Sequence, residues 1–393
     1  MYLKILNDFD LDILNNNNIE NEKYITIEGI NENQIFLLES FLSACKFKLH
    51  YREENKLVFK NKRIQKIAFH IYFFCVRGTS TALFDYAHYS ETILGYKSIF
   101  VAPKSSILEN KNVDIALKKF HKRFEIFYYD DMNDLENILE KEDCDMLYVI
   151  KYGTNDGIFS KKIKTSVHCV FDMSQKHGDV YAGVSEQIAT KYGKSLFVPH
   201  MVMEPNKTNE NLRNRLGIPD ESTVFGYHGG YDSFNIKFAI NAVKKAARFF
   251  PNIYFVFVNI PKFDNSPNII FLKKIVEIED KCKFINTCDC CLEAQSLGQS
   301  FGLSLADFSV NNKPIITYGG VVLNDNYKQI LGNKAIYYYD ENGLLEILRN
   351  FSKDDYKDMD LNCYKDYSPE NVIQIFNNIF CWNNKIKKIK MFL

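Results

Sequence analysis

Leu297–Gly320 reads "LGQSFGLSLADFSVNNKPIITYGG", and this stretch decides the fold. A turn of small residues, "GQSFG" (298–302), runs into an apolar helical segment with one carboxylate, Asp307, and the strand-like "KPIITY" (313–318) follows. Loop, helix, strand is the repeating unit of a parallel α/β sheet. It also leaves unpaired backbone N–H groups at a helix start, where anionic phosphate binds. Among Leu303, Ala306 and Phe308, the Asp307 carboxylate needs a partner.

The same grammar extends on both sides. Downstream of a polar linker, "TVFGYHGG" (223–230) is a strand ending in a Gly-Gly turn. "NIKFAINAVKKAARFF" (235–250) sets Ile236, Ala239, Ile240, Val243 and Phe250 on one helical face before Pro251 stops it. "IYFVFVN" (253–259), "NIIFL" (268–272), the short "KFINT" (283–287), "PIITY" (314–318) and "KAIYYYD" (334–340) then read as strands. Upstream, "KIAFHIYFFCV" (66–76) is a continuous apolar run, the sign of a strand covered on both faces. A turn at Gly78, a helix and the strand "SIFVA" (98–102) follow, then "RFEIFYYD", "DMLYVIKY", "TSVHCVF", "DVYAGVS" and "SLFVPHM" as further strands. The expected fold is α/β, with two facing doubly wound Rossmann-like domains at 63–205 and 206–367. Residues 1–62 read as a small α+β appendage and 383–393 as a basic tail. The last helix, "SPENVIQIFNNIF" (368–380), has Ser368 as N-cap, and segment 368–382 is expected to cross back to the first domain.

Composition narrows the function. Lys plus Arg and Asp plus Glu both number 49, so no basic field for nucleic acid exists. "MYLKILNDFDLDILNNNN" is too charged for a signal peptide, and the longest apolar run is about half a membrane span, which predicts a cytoplasmic protein. The tail "NNKIKKIKMFL" has the pattern of a weak peripheral membrane foot or of a frayed terminus. Ten cysteines are read as reduced thiols; Cys282, Cys288, Cys290 and Cys291 cluster, but the adjacent pair diverges, so buried thiols are expected rather than zinc. "YYDDMND" (128–134) reads as a helix cap.

"GQSFGLSLADFSVNNKPIIT", "SVHCVFDMSQKHGDVYAGVSE" (166–186) and "VFGYHGG" together resemble the family-four glycosyltransferases of GT-B fold, in the branch common in large DNA viruses and some bacteria. The resemblance covers roughly Ile64 to Phe380. It implies retaining transfer of a sugar from a nucleoside diphosphate donor, held by the second domain, to a glycan, lipid or protein hydroxyl on the first, without a required metal or other cofactor. It places Ser300, Phe301, Gly302 and Leu303 on the diphosphate, with Gly302 letting the backbone approach it closely. Asp307 falls on the ribose, Gln299 on the sugar and His168 near the reacting centre. Gly229 and Gly230 admit the donor to the second sheet, Lys237 is the nearest downstream cation, Arg77 and Gly78 form the first-domain diphosphate loop, and His177 borders the acceptor. The chain departs from the family where Gln299 replaces the first motif glutamate, where Glu293 and Gln295 replace His and Arg, and where Tyr227 replaces a phosphate-binding Arg. A weakened GT-B protein that binds a sugar nucleotide or glycan, and a GT-B sugar-nucleotide epimerase, are the alternatives.

Overall fold

The computed structural model describes residues 65–381 apart from 76–77, 109–112, 204–207, 276 and 322–323, and before them 2–4, 24–28, 47–53, 56–61 and six positions between 35 and 43. The basic tail lies outside the described residues. Strands β1 (Tyr2–Lys4), β2 (Tyr24–Glu28), β3 (Phe47–Glu53) and β4 (Lys56–Asn61) form a separate mixed sheet in the order β1-β2-β4-β3. Its core is its own: Ile25, Ile27, Leu38, Leu42, Phe47, Leu57 and Phe59.

The next sheet contains β5 (Lys66–His70), β6 (Lys97–Pro103), β7 (Glu125–Tyr129), β8 (Met146–Lys151), β9 (Lys164–Cys169) and β10 (Val180–Gly183), in the order β10-β9-β8-β5-β6-β7. All its pairs are parallel. Every residue of β8 is buried, because helices cover both faces of the sheet, and the sequence is accordingly apolar without alternation. The strand order reverses between β5 and β8. Such a reversal opens a crevice at the carboxyl ends of the strands.

The third sheet is also parallel, with β11 (Thr223–His228), β12 (Ile253–Val258), β13 (Ile269–Leu272), β14 (Cys290–Leu292), β15 (Ile315–Tyr318) and β16 (Ile336–Tyr338) in the order β13-β12-β11-β14-β15-β16. Two six-stranded parallel sheets flanked by helices make the GT-B arrangement of paired Rossmann-like domains.

Helices α1 (Gly78–Thr92), α2 (Glu186–Lys191), α3 (Lys237–Phe249), α4 (Ile278–Thr287), α5 (Leu303–Val310), α6 (Asn326–Leu331) and α7 (Pro369–Phe376) carry the argument below. Ser368 caps α7 by accepting from the Asn371 N–H, with Pro369 in the first turn. Phe376 packs on Phe69, Tyr86 and Tyr148 of the first domain, and Phe380 on Tyr148 and His168. Phe376 and Phe380 are therefore part of the first domain's core.

Three segments differ from their sequence reading. "KFINT" belongs to α4, where Cys282, Phe284 and Ile285 bury one face; five residues taken alone conceal the helical period. The strand of that region is "CCL", Cys290–Leu292. "SLFVPHM" makes one isolated bridge, Gly183 to Phe197, since Pro199 supplies no N–H to extend a ladder. The strand in "KIAFHIYFFCV" ends at His70; Ile71 makes one further bond, its N–H donating to Val101 O, and Ile71 and Phe74 are buried in the core.

Candidate functional site

The two domains meet at the starts of two helices. A Cβ placed on Gly78, the first residue of α1, would lie 3.3 Å from Leu303 Cδ1, on the first residue of α5. Neither helix has an acidic residue in its first turn. The positive ends of two helix dipoles thus abut with no carboxylate in either first turn to neutralise them.

Gly302 caps α5 at φ 84°, a left-handed conformation that glycine adopts without strain, and its carbonyl accepts from the Ala306 N–H at 2.8 Å. Its missing side chain does not make room for a ligand. A Cβ there would come within 3.0 Å of Tyr364 Oη and 3.2 Å of Tyr327 Cβ, so the chain's own tyrosines fill the gap. Phe301 is likewise buried, its carbonyl accepting from Tyr364 Oη at 2.8 Å and its ring lying against His200 and Tyr367. Ser300 alone of this loop lines a cavity of about 500 Å³ between the domains, together with Phe171 and α2 on one side and Asn324, Asp325 and Gln329 on the other. Gln187 and Asp325 hydrogen-bond across it.

One turn along α5, Asp307 forms an ionic group. Lys281 Nζ on α4 lies 2.8 and 2.9 Å from its two oxygens, and His228 Nε2, at the end of β11, lies 3.2 Å away. Burial pushes this carboxyl up, but Lys281 and His228 overcome it and hold it at about 2. Asp85, two turns along α1, faces this group from the first domain: burial raises it to about 7, Lys119 and Lys281 oppose the rise, and the Asp307 charge adds to it. Asp307 is therefore no free acceptor; its charge is compensated by Lys281. Sequence reasoning missed Lys281 and Asp85. Lys281 stands 26 residues from Asp307 and Asp85 is on the other domain, so no local spacing announces either.

Gln299 sits where its backbone N–H donates to Asn324 O at 2.7 Å and its Oε1 accepts from Ser304 Oγ at 3.2 Å. Its Nε2 is buried with no hydrogen bond of ordinary geometry among the described residues. Beneath it Glu293 is fully buried, accepting from Gln295 N at 2.7 Å and Thr317 Oγ1 at 2.6 Å; burial raises its carboxyl and these bonds oppose the rise. Glu293 thus anchors the loop that carries Gln299. Tyr227 is buried against Phe234. Gly229 and Gly230 turn the chain after β11, with Asn259 Nδ2 donating to Gly229 O and Ser233 to Gly230 O. Lys237 is exposed at the first residue of α3.

His168 departs from its expected place near the reacting centre. It is wholly inside the first domain, with Nδ1 accepting from Tyr148 Oη at 2.6 Å and Nε2 donating to Val198 O at 2.8 Å. Burial lowers it to about 3, so it stays neutral. A strand-end imidazole with both nitrogens bonded is a core residue. His177 is buried in the turn before β10. Arg77 lies outside the described residues; Gly78 opens α1 as described. Among the described residues no group of three or more His, Cys, Asp or Glu side chains is arranged to hold a metal ion, and the four clustered cysteines are free and buried. Asp131 caps the helix at Met132–Lys141, accepting from the Asn133 and Asp134 N–H groups. No helix among the described residues is long and apolar enough to cross a membrane.

No protein-family model matches the sequence, and comparison with curated proteins finds no match either. Solved structures share the fold. Anabaena HepE, in complex with UDP and glucose, superposes with a TM-score of 0.55 at 12% identity, over 80% of this chain and 95% of that one. A glycosyltransferase from Rickettsia africae gives 0.56 at 12% identity over 81% and 94%. The N-terminal domain of a Candida albicans trehalose-6-phosphate phosphatase gives 0.57 at 10% identity over 84% and 98%. At such identities the shared property is the GT-B architecture.

Proposed function

We propose that the protein is a glycosyltransferase that moves a sugar, with retention, from a nucleoside diphosphate sugar to a hydroxyl acceptor. The observation that carries this reading is the meeting of two helix N-termini from opposite domains at Gly78 and Leu303, both without a first-turn acid. A diphosphate between them accepts N–H groups from both sides, and Lys281, held by Asp307 one turn along α5, is a cation of the second domain that can offset its charge. The likeness to HepE, whose structure holds UDP and glucose, supports the choice of ligand. In the reaction, the anomeric bond to the diphosphate breaks as the acceptor oxygen bonds to the same face of the sugar, and the departing phosphate takes the acceptor's proton. With Lys281 and helix dipoles carrying the leaving charge, turnover requires no metal, and EDTA leaves it unchanged.

Gln299 supports a second reading, a sugar-nucleotide binding module with little turnover. An amide places no negative charge beside an oxocarbenium-like centre. Isothermal titration with UDP, GDP and ADP sugars, followed by a donor-hydrolysis assay, separates the two. Binding with turnover supports the transferase; binding without turnover across the panel supports the module. Absence of any nucleotide binding overturns both.

A further inference from the structure

Beneath the loop that carries Gln299 lies a carboxyl that the proposed reaction leaves idle. Glu293 follows the last residue of β14, at the carboxyl end of a central strand of the second sheet, and none of its surface meets solvent. Its Oε1 accepts from the Gln295 N–H at 2.7 Å and its Oε2 from Thr317 Oγ1 at 2.6 Å, while the Tyr318 N–H and the Gln299 side chain also reach toward it. Backbone N–H and amide NH2 groups can only donate, so this set of partners favours the ionised carboxylate. Burial works against the charge, and the donors oppose that rise. Tyr227, Tyr327 and Tyr338 feel the same charge, which together with burial keeps their phenols protonated. Tyr338 Oη also donates to the Glu293 carbonyl at 2.8 Å, fixing the backbone that bears the acid.

Gln299 is half-buried, and the two ends of its amide differ. Nε2 is enclosed without a hydrogen bond of ordinary geometry among the described residues, and the carboxylate it reaches toward is that of Glu293. Oε1 accepts from Ser304 Oγ, in the first turn of α5, at 3.2 Å. Turning the amide over would set its oxygen against the carboxylate, two acceptors with no proton between them. The amide therefore has one orientation, with its oxygen toward the helix start where the donor is placed.

We propose that Glu293 is a positioning residue for the donor sugar: it holds the Gln299 amide with Nε2 inward and lends its negative charge, through that amide, to the sugar beside Oε1. Where the family that the sequence resembles sets a glutamate at 299, this chain sets an amide backed by a glutamate. An N–H bonded to a carboxylate polarises the amide and makes its oxygen a stronger acceptor. The loop's acid has thus moved one layer down instead of being lost. The role in transfer rests on the transferase reading above; the pairing of the two side chains does not.

A double-mutant cycle on the full chain tests it with Glu293→Gln, Gln299→Glu and the exchange Glu293→Gln/Gln299→Glu. Urea unfolding and hydrolysis of UDP-, GDP- and ADP-glucose are the readouts. Gln299→Glu puts two enclosed carboxyls together and Glu293→Gln removes the charge, so each is expected to lower the folding equilibrium constant by about tenfold or more. The exchange is expected to cost about tenfold less than the product of the two single losses. In turnover, Glu293→Gln is expected to lower kcat by about tenfold with KM within about twofold, because the charge acts on the transition state more than on the bound donor, and the exchange regains kcat. Gln299→Ala cuts the same relay at a half-buried position and is expected to lower kcat equally, which keeps the test valid if Glu293→Gln fails to fold. Independent losses in the cycle overturn the pairing. Unchanged kcat in Glu293→Gln or in Gln299→Ala overturns the role in the reaction. Coupling in a protein that turns over none of the donors supports the pair and overturns the transferase reading instead.

Discussion

At the residue scale, charge compensation separates the two acids of the loop region. Asp307 is ionised because Lys281 and His228 outweigh its burial, whereas Glu293 is pushed upward by burial, with hydrogen bonds from Thr317 and Gln295 opposing the rise. If Asp307 fixes Lys281 for the diphosphate, Asp307→Asn weakens UDP binding by about tenfold, equivalent to about 1.4 kcal/mol. Titration calorimetry checks this; unchanged affinity removes Asp307 from the site. His168 carries the opposite expectation. Its two hydrogen bonds and complete burial predict that His168→Ala costs about 3 kcal/mol of stability while leaving UDP affinity within about twofold, read by urea unfolding and titration. The sequence offered a similar cue for both, a polar residue among apolar neighbours, Asp307 in a helical run and His168 at a strand end. Only the partners found in the structure distinguish them.

Elements place these residues, and the start of α5 is the clearest case. Gly302 combines a left-handed φ with Tyr364 and Tyr327 against its α-carbon, so Gly302→Ala loses on both counts, by about 2–3 kcal/mol. Gly157 is also left-handed, at φ 81°, but a Cβ there meets nothing within 4 Å, so Gly157→Ala costs about 1 kcal/mol. Chemical denaturation of the pair measures the difference, and equal losses would show that packing around Gly302 adds nothing. The loop-helix-strand unit was legible from "GQSFGLSLADF" because glycine placement and apolar spacing are local properties. What occupies the space beside Gly302 was not, since Tyr327 and Tyr364 arrive from distant sequence. Element type failed where the window was short: "KFINT" holds too few residues to show a helical period, and in the apolar tail of "KIAFHIYFFCV" Ile71 and Phe74 pack into the core beyond the strand's end.

The whole molecule has a pH signature set by its enclosed ionisable groups. Burial lowers His70 and His168 to about 3 and His200 to about 4. The unfolded chain protonates these imidazoles near their ordinary 6.5, so their contribution is intact above that value and is lost as pH falls through it toward the folded values. Asp85 works in the opposite direction. Its folded value of about 7 exceeds the ordinary 3.8, so its contribution is intact below 3.8 and is lost as pH rises through 7. Between pH 6 and 4 the three imidazoles outweigh the raised carboxyls of Asp85 and Glu293, so stability falls with pH, visible in Tm against pH. Asp85→Asn is expected to raise stability more at pH 8 than at pH 5; equal changes at the two pH values would show that burial does not raise Asp85. The sequence by itself determined the alternation of strands and helices, and with it two parallel sheets, because burial on both faces writes itself as apolar runs between turns. Only the tertiary structure decided that Lys281 and Asp85 answer Asp307, that His168 is enclosed, and that Thr317 answers Glu293. Those facts depend on which strand ends become neighbours, and a parallel sheet sets its neighbours through crossovers that no local spacing records.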